Sequence, residues 1–173
     1  MKFEPYGPFM LPRSNGAVDR TKKKAFWEMI EESHPSLPDA VGCYIFAIKA
    51  AKGFTPWYVG KTEKLSFGSE TWQDGKLLLY GEVIRKYAKG TPVLFLLAKI
   101  TTKGKFTKAT KRRNLGSVSA LEVMLIGTCL ERNRELLNKK MVRYRAMHVP
   151  GYLNDQPGKR TKNARALAKL LQT

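Results

Sequence analysis

The sequence predicts an α/β domain in which a small, mainly antiparallel three-stranded sheet is flanked by helices. Three observations carry this expectation. Two short runs rich in aromatic and β-branched residues, Gly42–Ile48 and Trp57–Gly60, flank a segment holding Gly53 and Pro56, the pattern of a β-hairpin. Val93–Ile100 is a continuous apolar run of strand length, expected as a central strand covered on both faces. Between and around these lie longer segments whose apolar residues recur at helical spacing.

In chain order, residues 1–19 carry Pro5, Pro8 and Pro12 and the turn-rich Arg13–Gly16. They read as an irregular arm pinned to the core by Phe3, Tyr6, Phe9 and Leu11. Asp19 caps a helix from about Arg20 to Ser33, with Phe26, Trp27 and Ile30 on its buried side. His34-Pro35 and Leu37-Pro38 end that helix, and His34 stands alone, as a loop residue rather than a ligand. The hairpin follows, with residues 49–56 as an eight-residue connection. Residues 61–75 are mixed and interrupted by Gly68 and Gly75. A helix is expected from Lys76 to Lys89, burying Leu77, Leu78, Val83, Ile84 and Tyr87, and Gly90-Thr91-Pro92 stops it. After the central strand, residues 101–115 hold Lys103, Lys105, Lys108, Lys111, Arg112 and Arg113 and no acid. That is either a solvated loop or a phosphate-binding segment. Another helix runs from Ser117 or Ser119 to Arg132. Its apolar stripe is Leu121, Met124, Leu125 and Thr128, and Glu122 falls toward the other side, beside Ile126 and Cys129. A last helix, Asn163 to Leu171, sets Arg165 and Lys169 opposite Leu167, Leu170 and Leu171.

At 173 residues the chain is long enough for a sizeable core and is read as one domain. Its parts are an N-terminal arm and helix (1–40), a core (41–140) and a basic extension (141–173). No apolar run approaches the roughly 18 residues of a membrane span, and the N-terminus lacks the apolar stretch of a signal peptide. Cys43 and Cys129 form neither a metal pattern nor a disulfide framework; two buried free thiols fit a reducing, cytoplasmic setting. Thirty-two lysines and arginines against 14 acids give a formal net charge of +18. Such a surface attracts polyanions, nucleic acid first among them.

Each hairpin run pairs a tyrosine with a glycine: Gly42-Cys43-Tyr44 on the first, Tyr58-Val59-Gly60 on the second. Antiparallel pairing brings Tyr44 and Tyr58 near each other. With these two motifs on one hairpin, the sequence resembles the GIY-YIG nuclease family, which is named for them, over roughly residues 41–140. The resemblance implies a metal-dependent endonuclease acting on DNA. It implies that Tyr44 and Tyr58 line the active site, one helping to deprotonate water. It implies that Glu122, in Ser119-Ala120-Leu121-Glu122, holds Mg2+ or Mn2+, and that Asn138, in Leu137-Asn138-Lys139, supports the site. The family arginine lies on the helix after the second motif. The first arginine after Gly60 here is Arg85, which suits that role if residues 61–75 are an insertion; Lys76 is the other stand-in, and Lys89 takes the place one turn further on. Lys61, Lys64, Lys103, Lys105, Lys108, Lys111, Arg112, Arg113, Lys139 and Lys140 are the candidate nucleic-acid contacts.

Rival readings stand beside these. Ser119-x-x-Glu122 is also a capping box, with Glu122 bonded back to its own helix start. Arg85 is also a plain solvated charge, and Asn138 a turn residue. Trp57 and Trp72 are core aromatics or base-stacking platforms. The missing early arginine favours an alternative function, a nucleic-acid-binding module that keeps the fold and has lost catalysis.

Overall fold

The computed structural model of the protein describes residues 1–110, 115–139, 149–150 and 161–171. The chain divides into two compact units, Met1–Leu137 and Asn138–Thr173. The first unit holds a four-stranded antiparallel sheet of order β1-β6-β4-β5, made from β1 (Lys2–Met10), β4 (Gly42–Ala50), β5 (Gly53–Thr62) and β6 (Thr91–Ile100). A small hairpin, β2 (Arg13–Ser14) with β3 (Ala17–Val18), lies apart from it. The helices of this unit are α1 (Lys23–Ser33), α2 (Phe67–Glu70), α3 (Asp74–Lys86) and α4 (Gly116–Arg132). In the second unit the described helix is α5 (Lys162–Leu171).

The α/β class and antiparallel sheet agree with expectation, but the sheet has four strands, not three. The extra strand is β1, built from the arm expected to be irregular. Its prolines misdirect the reading: β1 is an edge strand, where a residue without N–H costs no ladder bond on the open side, and a register shift between Tyr6 and Phe9 accommodates Gly7-Pro8. The hairpin connection is also tighter than expected. Ala50 pairs with Gly53, so Ala51 and Lys52 alone make the turn, and Gly53 takes a φ of +104°, open to glycine. Pro56 sits within β5, the opposite sheet edge, and its carbonyl accepts from Asn133 Nδ2 at 2.8 Å.

Side-chain alternation sorts the core into two faces. Tyr44, Phe46 and Ile48 of β4 with Leu94, Leu96 and Ala98 of β6 join a buried cluster with Phe26, Trp27 and Ile30 of α1 and Leu77, Tyr80, Val83 and Ile84 of α3. Full burial of each large apolar side chain contributes about 1.5–3 kcal/mol. The alternate strand residues Cys43, Ala47, Val59 and Val93 are buried outside that cluster, as are Val118, Ile126, Cys129 and Leu130 of α4. The Cys43 thiol donates to the Val118 carbonyl at 3.3 Å, fixing α4 to this second face.

The helix faces differ in detail from the expected stripes. On α3, Tyr80 is buried and Leu78 exposed. On α4, Met124 is 69% exposed, and the inward face is Val118, Ile126, Cys129 and Leu130, with half-buried Glu122 in line with it. On α5, Ala164 and Ala168 are buried while Leu170 and Leu171 are exposed. Trp57 and Trp72 are buried core aromatics. Asp19 caps the opening of the first helical segment as expected, accepting from Thr21 N at 3.0 Å.

Candidate functional site

The two tyrosine–glycine motifs interlock through sterics. Tyr44 lies opposite Gly60 in the β4–β5 ladder. A Cβ on Gly60 would fall 2.3 Å from Tyr44 Cζ and 2.4 Å from its hydroxyl oxygen, so the glycine of the second motif is the space that the phenol of the first fills. Gly42 makes a similar close approach: a Cβ there would lie 2.0 Å from the Leu97 carbonyl oxygen. These glycines are therefore required by contact, not merely by strand ends.

The second tyrosine is aimed by a β-bulge. Phe46 pairs with Tyr58 and Ala47 with Pro56, which leaves Trp57 as the extra residue of β5. Both Trp57 and Tyr58 then turn toward α3: Trp57 rests against Tyr87 at 4.9 Å between ring centroids, and Tyr58 against Tyr80 at 6.4 Å. Tyr44 and Tyr58 stand 6.2 Å apart, as the hairpin requires. Lys76, on the first turn of α3, donates to the Tyr58 hydroxyl at 2.6 Å and places its ammonium 4.8 Å from that ring's centroid. Glu70, brought back by the short α2, lies 3.9 Å from the same ammonium. Burial pushes the Glu70 carboxyl above its ordinary range, and Lys76 opposes this. Tyr44 is fully buried, and its hydroxyl has no hydrogen-bond partner among the described residues; nor does that of buried Tyr80. Burial pushes the Tyr44 phenol far upward, so it remains protonated at physiological pH.

A second polar cluster forms on the α4 side of β5. Lys61, paired with Cys43 in the ladder, donates to Ser119 Oγ on α4. The same ammonium lies 3.5 Å from Glu63 and 3.8 Å from Glu122. Glu63, only 10% exposed, accepts from the backbone N–H of Leu115 at 3.0 Å and from Ser119 Oγ at 3.3 Å, so it closes the start of α4 in place of a local cap. The helix begins at Gly116, not at Ser119, and its N-cap Leu115 has no side-chain cap, so Glu122 is not half of a capping box. Its side chain is 20% exposed. Burial raises its carboxyl above the ordinary range; Lys61 and Lys76 pull it down and Glu63 pushes it up.

The two clusters flank the edge strand β5 and feel each other. Lys76 of the tyrosine cluster stabilises the Glu122 carboxylate, and Glu122 adds to the upward push on Tyr44. Among the expected site residues, the structure thus places Tyr44 and Tyr58 together, with Glu122 in electrostatic reach. Arg85 is elsewhere. It is exposed near the end of α3, with its side chain against the β2–β3 turn, where a Cβ on Gly16 would meet Arg85 Cγ at 3.0 Å. Lys76, the alternative stand-in, occupies the tyrosine cluster. Asn138 and exposed Lys139 belong to the second unit. Lys64, Lys103, Lys105 and Lys108 are exposed; Lys103 and Lys105 sit in the turn closed by Thr101 N to the Lys105 carbonyl, and Lys108 bridges to Ala40. Lys61 is instead turned inward. Lys111, Arg112, Arg113 and Lys140 lie outside the described residues.

Sequence reading missed Glu63, Glu70 and Tyr80. The i,i+4 spacing of Lys76 and Tyr80 on one helix face was a usable signal for Tyr80. Nothing local marked the two glutamates, whose roles depend on long-range contacts.

The donor set around Glu122 suits a hard divalent cation. The half-buried Glu122 carboxylate shares the Lys61 ammonium with Glu63 and feels only a more distant pull from Lys76, which is engaged with Tyr58 and Glu70. Among the described residues, no group of three or more His, Cys, Asp or Glu side chains stands ready to hold a metal. Mg2+ does not require one, because it keeps several waters and takes substrate phosphate oxygens beside one or two carboxylates. Comparison with protein-family models, with curated proteins and with solved structures finds no match to the chain. No helix among the described residues is long and apolar enough to cross a membrane.

Proposed function

We propose that the protein is a metal-dependent endonuclease of GIY-YIG type, hydrolysing phosphodiester bonds in DNA. The observation that carries this reading is the meeting, at one edge strand, of the Tyr44–Tyr58–Lys76 cluster with the half-buried carboxylate of Glu122. The basic surface, net +18, supplies the attraction to a polyanion.

In this reading Tyr58 orients the attacking water or, as a phenolate paired with the Lys76 ammonium, takes its proton, which then passes to the leaving sugar oxygen. The new bond forms from the water oxygen to phosphorus as the bond to the leaving sugar oxygen breaks. Lys76, already donating to the Tyr58 oxygen, steadies negative charge there during proton transfer and is close enough to meet a phosphate oxygen. Tyr44, held as a neutral phenol by burial and closed off from solvent, acts by packing: its ring fills the space beside Gly60 and backs Tyr58. Glu122 would hold Mg2+ or Mn2+, which when bound neutralises charge building on the phosphate and its leaving oxygen. The exposed Lys64, Lys103, Lys105 and Lys108 are available to contact backbone phosphates.

The test is plasmid cleavage with Mg2+ by the parent and by Glu122→Gln. The proposal expects a loss of at least about a hundredfold in the folded variant. Cleavage at the parent's rate would end it. The second reading, a nucleic-acid-binding module that keeps the fold without catalysis, is favoured by the placement of Arg85 against the β2–β3 turn. It expects tight, salt-sensitive binding with intact DNA across Mg2+ and Mn2+ titrations.

A further inference from the structure

Lys61 is committed to the protein interior in a way its neighbours are not. Its ammonium is shared among Ser119, Glu63 and Glu122, with 31% of the side chain exposed, whereas Lys64 three residues on is exposed to solvent. The three partners differ in how firmly they are held. Glu63 is fixed by the Leu115 amide and the Ser119 hydroxyl, and Ser119 is fixed on the first turn of α4. Glu122 has the longest of the three contacts to the ammonium, at 3.8 Å. A lysine side chain has a flexible four-carbon stem and three donors, so it can lean fully onto one carboxylate without moving its backbone.

We infer that Lys61 is a resident counter-ion that neutralises Glu122 until a divalent cation takes that carboxylate, and that Glu63 and Ser119 are the seat that then holds the displaced ammonium. This rests on the reading of Glu122 as a metal ligand and adds the group with which the metal competes. The physical reason is charge balance. An ammonium 3.8 Å from the ligand oxygen opposes an incoming cation, and the opposition weakens once Glu63 draws the ammonium away. Without the seat, Lys61 would stay on Glu122 and the site would resist loading. The arrangement keeps the half-buried carboxylate compensated in both states.

The experiment is calorimetric titration of Mn2+ alone into the full chain, with circular dichroism confirming the fold of every variant. Lys61→Gln removes the charge and keeps a polar side chain for Ser119, and Lys61→Met serves as a second neutral variant. The inference expects either to bind Mn2+ at least about tenfold tighter than the parent, as removal of a nearby like charge requires. Glu63→Gln should bind more weakly in both backgrounds, because it removes an anion beside Glu122. The loss should be at least several-fold larger when Lys61 is present than when it is Gln, because only then is the seat for the ammonium lost too. Equal losses in the two backgrounds overturn the seat. Lys64→Gln, which removes the same charge from an exposed place, should stay within about twofold of the parent, and Glu122→Gln should abolish binding. Mn2+ that binds at Glu122 with the same affinity in parent and Lys61→Gln overturns the counter-ion role and leaves the metal reading standing. An equal gain from Lys64→Gln overturns it too, reducing it to general charge. No binding by the parent or by either Lys61 variant overturns both.

Discussion

The two sides of β5 are built on opposite terms. On the α3 side, Tyr44, Tyr58 and Tyr80 pack ring against ring, two of their hydroxyls buried and unpartnered among the described residues, and a single ammonium from Lys76 enters the cluster. On the α4 side, Lys61, Glu63, Ser119 and Glu122 form a charged network that ties the strand to the first turns of a helix. The first side is set by shape, the second by charge. In the proposed reading, a site assembled from both holds its phenols rigidly while Glu122 trades the Lys61 ammonium for a metal ion.

The comparison breaks most sharply at Gly60. Gly60→Ala drives a methyl into the Tyr44 ring, and because the obstacle is a fully buried side chain between strand and helices, relief requires backbone movement. The expected destabilisation is about 3 kcal/mol, measured by urea unfolding. A variant with parental stability would mean that Tyr44 is not locked as described.

A smaller effect separates Lys76 from Arg85. Lys76→Met removes the donor to Tyr58 and should slow cleavage by about tenfold or more, in keeping with the loss of one charged hydrogen bond. Arg85→Ala, against the β2–β3 turn, should change cleavage by less than about threefold under the same conditions. The reverse ranking would give Arg85 the phosphate role that the sequence resemblance implies and move the reacting phosphate away from the tyrosines.

The smallest effect is electrostatic. The folded-state carboxyl of Glu70 is raised above its ordinary 4.5 by burial. The folded protein therefore holds the proton more tightly than the unfolded chain, and stability falls as pH rises from that ordinary value through the raised one. Glu70→Gln removes this penalty, so its melting temperature should exceed the parent's by about 2 °C above that pH window, for a gain under about 1 kcal/mol. Below the window the two should converge. Melting curves from pH 4 to pH 8 read the difference directly, and a variant less stable than the parent at neutral pH would show the Glu70–Lys76 pair outweighing burial.

Much of the shape-governed side was legible in the sequence. A run rich in aromatic and β-branched residues marked β4 and the long apolar run marked β6, and the glycine–tyrosine pairs located the hairpin whose register brings Tyr44 beside Tyr58. The bulge that aims Tyr58 was not legible, because Trp57 reads as one more strand residue. Nor was β1, since its prolines mimic a loop and its pairing joins Lys2 to Ile100, far along the chain. The charged side was least legible. Glu122 could be named from its helix, but Glu63 gains its role only when the strand end meets the Leu115 amide, a contact across 52 residues. Met124 shows the same limit: its spacing fits an inward stripe as well as an outward one, and only the docking of α4 through Val118 onto Cys43 chooses the face.

The account's central claim is that the two sides of β5 act as one site. A double-mutant cycle in single-turnover DNA cleavage, combining Tyr58→Phe with Glu122→Gln, tests it most directly. The account predicts that the double variant is slower than the more damaged single variant by no more than about threefold, because groups serving one step cannot be lost twice. Losses that multiply, each variant costing as much in the other's presence as alone, would contradict it and leave two independent clusters on either side of a strand.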